Sequence, residues 1–365
     1  MTIQDITSLL ESIAPLSFQE EYDNAGLLTG DKDWECTGAL ISLDTTEEII
    51  DEAIKNNCNL IIAHHPVIFR GLKQLTGKDF IQRIIIKAIK NDIAIYAIHT
   101  NLDSIKSGVN GKIAEKLGLK NLQILRPKEA LLKKMITFVP VEKAEDIRQA
   151  LFKAGAGHLG NYTECSFNLE GTGTFKPEEG ADPFVGEIGK RHQEREIKIE
   201  VIFPAYLQMK ITEALMSTHP YEEVAYDILS LGNFLSDVGS GVVGELAQPV
   251  SEKEFLSRIS EVFGAKGLRH TRSLRKTVSK VAICGGAGIF LLKDAISHGA
   301  DLFLTSDVKY HEFFEADGQL FLVDMGHFES EQFTVDLLFD ILRSKFPNFA
   351  ILKTAINTNP VQYFG

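Results

Sequence analysis

Two stretches of this chain match without a gap at a constant separation of 242 residues (295 − 53), and that repeat limits the fold more than any other feature. Ala53-Ile54-Lys55-Asn56-Asn57-Cys58-Asn59-Leu60-Ile61-Ile62-Ala63-His64-His65 aligns with Ala295-Ile296-Ser297-His298-Gly299-Ala300-Asp301-Leu302-Phe303-Leu304-Thr305-Ser306-Asp307. Upstream, Ile41 aligns with Ile283, and Ile49-Ile50 with Leu291-Leu292. Each copy reads strand, helix, strand, polar residue, helix, strand, polar residue. The short apolar runs are rich in β-branched residues, as buried parallel strands are. The expectation is an α/β fold of two related lobes facing each other across a cleft.

Metal-type side chains gather where those runs end. Leu60-Ile61-Ile62-Ala63 stops at His64-His65-Pro66, and the proline cannot donate to a sheet. Ile93 to Ile98 stops at His99-Thr100-Asn101-Leu102-Asp103, and Leu320 to Val323 is followed by His327 and Glu331. Open α/β sheets build their sites at the carboxyl ends of strands. A single pair of histidines would read as one buried and one exposed side chain. The six candidates His64, His65, His99, Asp103, His327 and Glu331 form a nitrogen–oxygen set too large for one tetrahedral zinc. They suit two neighbouring ions of the kind that activate water. The spacing of Phe333, Leu337, Leu338 and Ile341 predicts a helix starting near Ser330.

Between the copies lies a different segment, 128–231. Strands are predicted at 135–141, 164–167, 196–202 and 224–229, and helices at 142–154 and 205–218. The Gly- and Pro-rich stretch 171–189 reads as a long ordered loop. This βαββαβ order predicts an inserted ferredoxin-like α+β domain. The expected division is therefore 1–127 N-terminal α/β lobe, 128–231 insert, and 232–365 C-terminal α/β lobe.

With 365 residues, 44% of them hydrophobic, the chain has the composition of a globular protein. No apolar stretch is long enough to span a bilayer. Ile3, Ile6, Leu9, Leu10 and Ile13 lie at helical spacing in an acidic N-terminal segment, which is not a secretory signal. The four cysteines are scattered, with neither a disulfide framework nor a thiolate zinc pattern, so a cytoplasmic setting is expected. A net charge of −12 argues against nucleic-acid binding. One basic cluster, from Lys266 to Lys276, reads as a solvated face or as a place for a phosphorylated ligand. Cys284-Gly285-Gly286-Ala287-Gly288 follows an apolar run and reads equally as a tight turn or a phosphate cradle. Tyr22-Asp23-Asn24-Ala25-Gly26-Leu27 reads as a turn that could line the cleft through Asp23 or Asn24.

These motifs together resemble the Nif-three-like family, the GTP cyclohydrolase 1 type 2 homologs. The resemblance rests on Tyr22 to Leu27, Ala63 to Pro66, His99 to Asp103, Gly285 to Gly288, Thr305-Ser306-Asp307, and Gly326-His327 with Glu331. Tyr22 stands where many relatives have Trp. Gly171 to Pro177 and His219 to Tyr226 resemble the insert of the longer bacterial members, which is PII/CutA-like. The resemblance implies a two-metal centre held by His64, His65, Asp103, His327 and Glu331, with His99 as ligand or neighbour. It also implies a homohexamer with its metal sites facing an inner cavity, and conversion of GTP to dihydroneopterin triphosphate.

Two functions are therefore expected in competition. One is a metal-dependent hydrolase acting on a small anionic nucleotide, possible substrate GTP, with His99 or Asp307 as the candidate catalytic groups that move protons. The other is a metal-binding regulatory or delivery scaffold. Imidazole and carboxylate ligands admit Zn, Mn or Fe, and also Co and Ni.

Overall fold

The computed structural model describes residues 1–364, in two compact units. One joins Met1–Pro127 to Ser236–Gly365, and the other is Lys128–Leu235. The strands in chain order are β1 (Gly26–Thr29), β2 (Ala39–Ser42), β3 (Leu60–Ala63), β4 (Ala94–Ala97), β5 (Leu119–Pro127), β6 (Leu132–Pro140), β7 (Phe167–Phe175) and β8 (His192–Pro204). They continue with β9 (Tyr226–Ser230), β10 (Gly239–Ser251), β11 (Arg269–His270), β12 (Thr277–Ile283), β13 (Leu302–Thr305), β14 (Phe321–Asp324) and β15 (Ile351–Lys353).

The first unit holds two sheets, ordered β1-β4-β3-β2-β15 and β11-β14-β13-β12-β10-β5. Their centres are built alike. β2, β3 and β4 run parallel, as do β12, β13 and β14. Ala39 sits beside Leu60 in one sheet and Val281 beside Leu302 in the other, so the register itself repeats at the offset of 242 (281 − 39). Every residue of β2, β3, β4, β13 and β14 is buried. Continuous apolar runs are what a strand covered on both faces requires. Each core isoleucine or phenylalanine withdrawn from water contributes on the order of 1.5–3 kcal/mol. Helices Glu47–Lys55 and Phe80–Lys90 cover one sheet through Ile49, Ile50, Ile84 and Ile85 against Leu40, Ile61 and Ile95. In the other, Leu292 and Ala295 of helix Leu292–Ser297 pack on Phe303 and Leu322.

The lobes are not two contiguous stretches of chain. β5 belongs by sequence to the first lobe but pairs with β10 in the second sheet. β15 does the reverse, pairing with β2. Each lobe thus borrows an edge strand from the far segment. Among the described residues, no helix is long and apolar enough to cross a membrane. The predicted N-terminal helix forms at Ile3–Ile13, capped by Thr2 and Asp5 in reciprocal hydrogen bonds.

The second unit has one antiparallel sheet ordered β7-β8-β6-β9, with helices Ala144–Ala154 and Gln208–Thr218. Strand order and connectivity are those of a ferredoxin-like fold. Met135, Val139, Ile199, Val201 and Phe203 meet Ile147, Leu151, Ile211 and Leu215 in its core. Residues 171–175, read above as loop, continue β7, because pairing with β8 from Phe167↔Glu200 to Phe175↔His192 outweighs the low strand preference of Gly171 and Gly173.

Pro127 and Gly239 are directly paired across β5 and β10. The insert therefore leaves and re-enters its host at adjacent points. Excising 128–235 and joining Pro127 to Ser236 through a short Gly/Ser linker should give a chain that folds cooperatively and retains the full metal stoichiometry. Insoluble or metal-free product would make the insert part of the host core.

Candidate metal centre

The three parallel strand ends converge as the sequence predicts. His64 and His65 follow β3, His99 precedes the short helix Thr100–Asp103 after β4, and His327 and Glu331 occupy helix His327–Glu331 after β14. The helix expected from near Ser330 is two: this short one, and Thr334–Lys345, which carries Leu337, Leu338 and Ile341. Gly326, at φ 93°, makes the turn into the short one, so His327 and Glu331 share a face at i, i+4 with no further adjustment.

Each of the four imidazoles is anchored through Nδ1. His64 Nδ1 donates to the Ile98 carbonyl (2.8 Å). His65 Nδ1 meets Asp44 Oδ1 (2.7 Å), His99 Nδ1 meets Asp23 Oδ1 (2.7 Å), and His327 Nδ1 meets Asp307 Oδ2 (2.6 Å). All four Nε2 atoms are thereby left for one shared space. The metal-ligating atoms of His64, His65 and His99 lie within 4.8 Å of one another, as do those of His65, His327 and Glu331. Glu331 Oε2 lies 2.9 Å from His65 Nε2 and 3.0 Å from His327 Nε2. A carboxylate or carbonyl at Nδ1 fixes the tautomer and orientation of an imidazole, as is usual for a metal-ligating histidine.

Among the buried polar atoms without a hydrogen-bond partner in the described residues are His64 Nε2 and Asp103 Oδ1, which face each other at 3.6 Å. A carbonyl accepts only, so His64 must carry its proton on Nδ1 and turn a lone pair inward. A lone pair opposite a carboxylate oxygen in a dry site costs free energy unless a cation lies between them. The donor set and these orphaned atoms fit a divalent metal.

The electrostatics of the ligand shell agree. Burial pushes His64 down to about 3, keeping it neutral. Burial also opposes charge on His65 and His327, but the carboxylates outweigh it: Asp44 and Glu331 raise His65 to about 10, and Glu331 and Asp307 raise His327 to about 9. Glu331 is pulled well below its usual range by the same two rings, against the effect of its burial. Burial and the Glu331 charge push Asp103 well above its usual value. Protons on His65 and His327 thus hold the place of cationic charge.

Asp307, one of the two candidate proton carriers, stands behind His327 as its hydrogen-bond partner, half-exposed. The repeat aligns it with His65. His99 faces the shared space. The Tyr22 to Leu27 segment is more than a turn: the Asp23 side chain is buried, held by His99 and by the Thr100 amide (3.0 Å). Sequence reasoning missed Asp44, which also accepts from Thr358 Oγ1 (2.6 Å). It follows an apolar run, Ala39 to Leu43, in the pattern that marked the histidines.

The glycine turn is not a phosphate cradle. Gly285 N donates to Asn110 Oδ1 (2.8 Å), Gly286 N to Ser330 Oγ (2.9 Å) and Gly288 N to Thr305 Oγ1 (2.9 Å). Gly286 has φ +62°, and a Cβ there would strike Glu331 Oε1. The turn is a tight floor beneath Glu331.

A cavity of about 450 Å³ opens over the centre, with Tyr22, Phe69 and Phe290 among its walls. None of its described lining residues is lysine or arginine.

Comparison with known proteins agrees with this architecture over the whole chain. A family model described as Duf34/NIF3 (NGG1p interacting factor 3) matches residues 1–360. A Halalkalibacterium halodurans protein named GTP cyclohydrolase 1 type 2 homolog is 40% identical, covering 99% of this chain and 98% of its own. A solved Bacillus cereus protein related to NIF3 superposes with a TM-score of 0.85 at 41% identity, covering 100% of this chain and 99% of its own. A Staphylococcus aureus structure does so at 0.81 and 32%, with coverage of 100% and 99%. The chain belongs to the Duf34/NIF3 family.

Proposed function

We propose that His64, His65, Asp103, His327 and Glu331 hold two divalent cations, with His99 beside them, and that the centre is hydrolytic towards a nucleotide. The facing pair of partnerless buried atoms, His64 Nε2 and Asp103 Oδ1, carries the metal reading. Zn, Mn and Fe suit the imidazole–carboxylate set. Two such ions, when bound, lower the pKa of coordinated water and stabilise developing negative charge.

The chain's own residues supply the rest. Asp23 fixes His99 through Nδ1, which leaves Nε2 to take or give a proton. Tyr22, Phe69 and Phe290, each well exposed, offer faces for a planar base. The name carried by the Halalkalibacterium relative points to GTP. The family resemblance also supports a homohexamer, to be measured by light scattering.

A second reading, a metal-binding regulatory or delivery scaffold, is favoured by one observation. The cavity offers no lysine or arginine to a triphosphate, and three amides of the glycine turn are already engaged.

Metal titration of stripped protein tests the centre first. At pH 7, His65 at about 10 and His327 at about 9 are both protonated, and ligation through Nε2 must expel those protons. We expect at least two protons released at pH 7, with a further contribution from Asp103, and apparent affinity rising with pH and levelling off above about 10. Calorimetry in buffers of different ionisation enthalpy reads the number, and absence of any metal binding removes the metal reading. Protein verified to hold both ions is then assayed on a nucleotide panel. Turnover of GTP to formate and a pterin, lost with chelator, supports the cyclohydrolase. Retained metal with nothing consumed supports the scaffold.

A further inference from the structure

The insert contains a larger cavity than the metal centre does, about 710 Å³, on the side of its sheet away from the helices. Alternation along β7 places Leu169, Gly171, Gly173 and Phe175 on one face, and the two glycines leave a hollow between the larger side chains. A Cβ on Gly171 would meet nothing within 4 Å. On Gly173 it would collide with the Glu196 carboxylate. Glu196, 8% exposed, therefore lies across bare backbone at the edge of the hollow, with Tyr221 Oη donating to its Oε1 (2.9 Å).

Phe175, Phe184 and Tyr221 line the same cavity as that carboxylate. Tyr221 stands with its ring centroid 6.2 Å from those of both Phe175 and Phe184, tilted at 56° and 52°. The charge of the lining is one-sided, with five glutamates (170, 178, 196, 222 and 223) against Lys176 and Lys198. Both lysines are already engaged by carboxylates, Lys176 with Glu178 (3.1 Å) and Lys198 with Glu200 (2.6 Å). A half-enclosed carboxylate in a cavity shared with three aromatic rings, with an acidic rim, selects a cation with an apolar body.

We infer that the insert carries a second binding site, for an organic ammonium ion, in which the ligand's charge meets Glu196 and its body lies against Phe175, Phe184 and Tyr221. The site is separate in chemistry from the metal centre, since it offers a single carboxylate among rings rather than a set of ligands.

The probe is benzyltrimethylammonium, titrated into the intact chain by ligand-observed NMR beside benzyl alcohol and benzoate. The cation should bind at least about tenfold more tightly than the alcohol, and benzoate should not bind. Glu196→Gln keeps the shape and the Tyr221 contact, and should weaken the cation about tenfold. Gly171→Leu projects into the hollow and should abolish binding, with metal content and thermal unfolding unchanged. Equal binding of cation and alcohol, or unaltered cation binding by Glu196→Gln or by Gly171→Leu, would overturn the inference.

Discussion

Replacing Glu331 by alanine should reduce bound metal to trace levels and weaken affinity by well over the ~100-fold associated with loss of an outer-shell partner. Its side chain is 4% exposed and lies between His65 Nε2 and His327 Nε2. Removing it takes away the shared anion that raises both rings, which are left facing each other across 3.3 Å. Breaking a buried charge cluster in this way costs about 3–5 kcal/mol, so the metal-free variant should also unfold well below the metal-free parent. Metal analysis after dialysis and thermal unfolding in chelator are the two readouts. A variant that keeps its full metal complement would remove Glu331 from the ligand set. Glu331→Gln, which preserves volume, separates the two effects: it should lose metal while recovering part of the stability.

The second large effect is expected at Gly286. Valine there must adopt a left-handed backbone, at a cost of about 1–3 kcal/mol, and its Cβ displaces Glu331 Oε1. Gly286→Val should lose both stability and metal. Gly299 is the control. It has φ +68° but open space around it, so Gly299→Ala should carry the backbone cost alone, about 1 kcal/mol, with metal content untouched. If Gly286→Val retains metal as Gly299→Ala does, the turn does not position Glu331.

The parts of this molecule that were legible in the sequence share one physical cause. Buried parallel strands need apolar runs, and those runs made both the repeat and the positions of His64, His65, His99 and His327 visible. The register of β3 and β13 follows the alignment because no insertion separates strand from helix in either copy. What could not be read depends on partners remote in the chain. The amides of Gly285 and Gly286 are spent on Asn110 and Ser330, 175 and 44 residues away, so the turn mimicked a phosphate site. Asp44 gains its meaning only from His65, 21 residues away, whose Nδ1 it holds. The strand expected at 164–167 was not carried on to Phe175 because the glycines of β7, poor strand formers alone, are held by β8. The exchange of β5 and β15 left no local trace, since a strand's own residues do not say which sheet edge it will join.

That exchange dictates an order of events during synthesis. When the first 127 residues have emerged, four of the five strands of the first sheet exist, but the free edge of β2 waits for residues 351–353. β5 has emerged as well, yet its partner β10 lies more than a hundred residues downstream. Neither lobe can close its sheet before the other is nearly made. The ferredoxin-like insert, whose four strands all come from one stretch, has no such wait and can be the first unit to finish. A ribosome stalled at about residue 300 should therefore display a protease-resistant insert flanked by an unfinished host, with the β2 edge open to unwanted pairing. The cell's exposure to aggregation of this protein is concentrated in that interval.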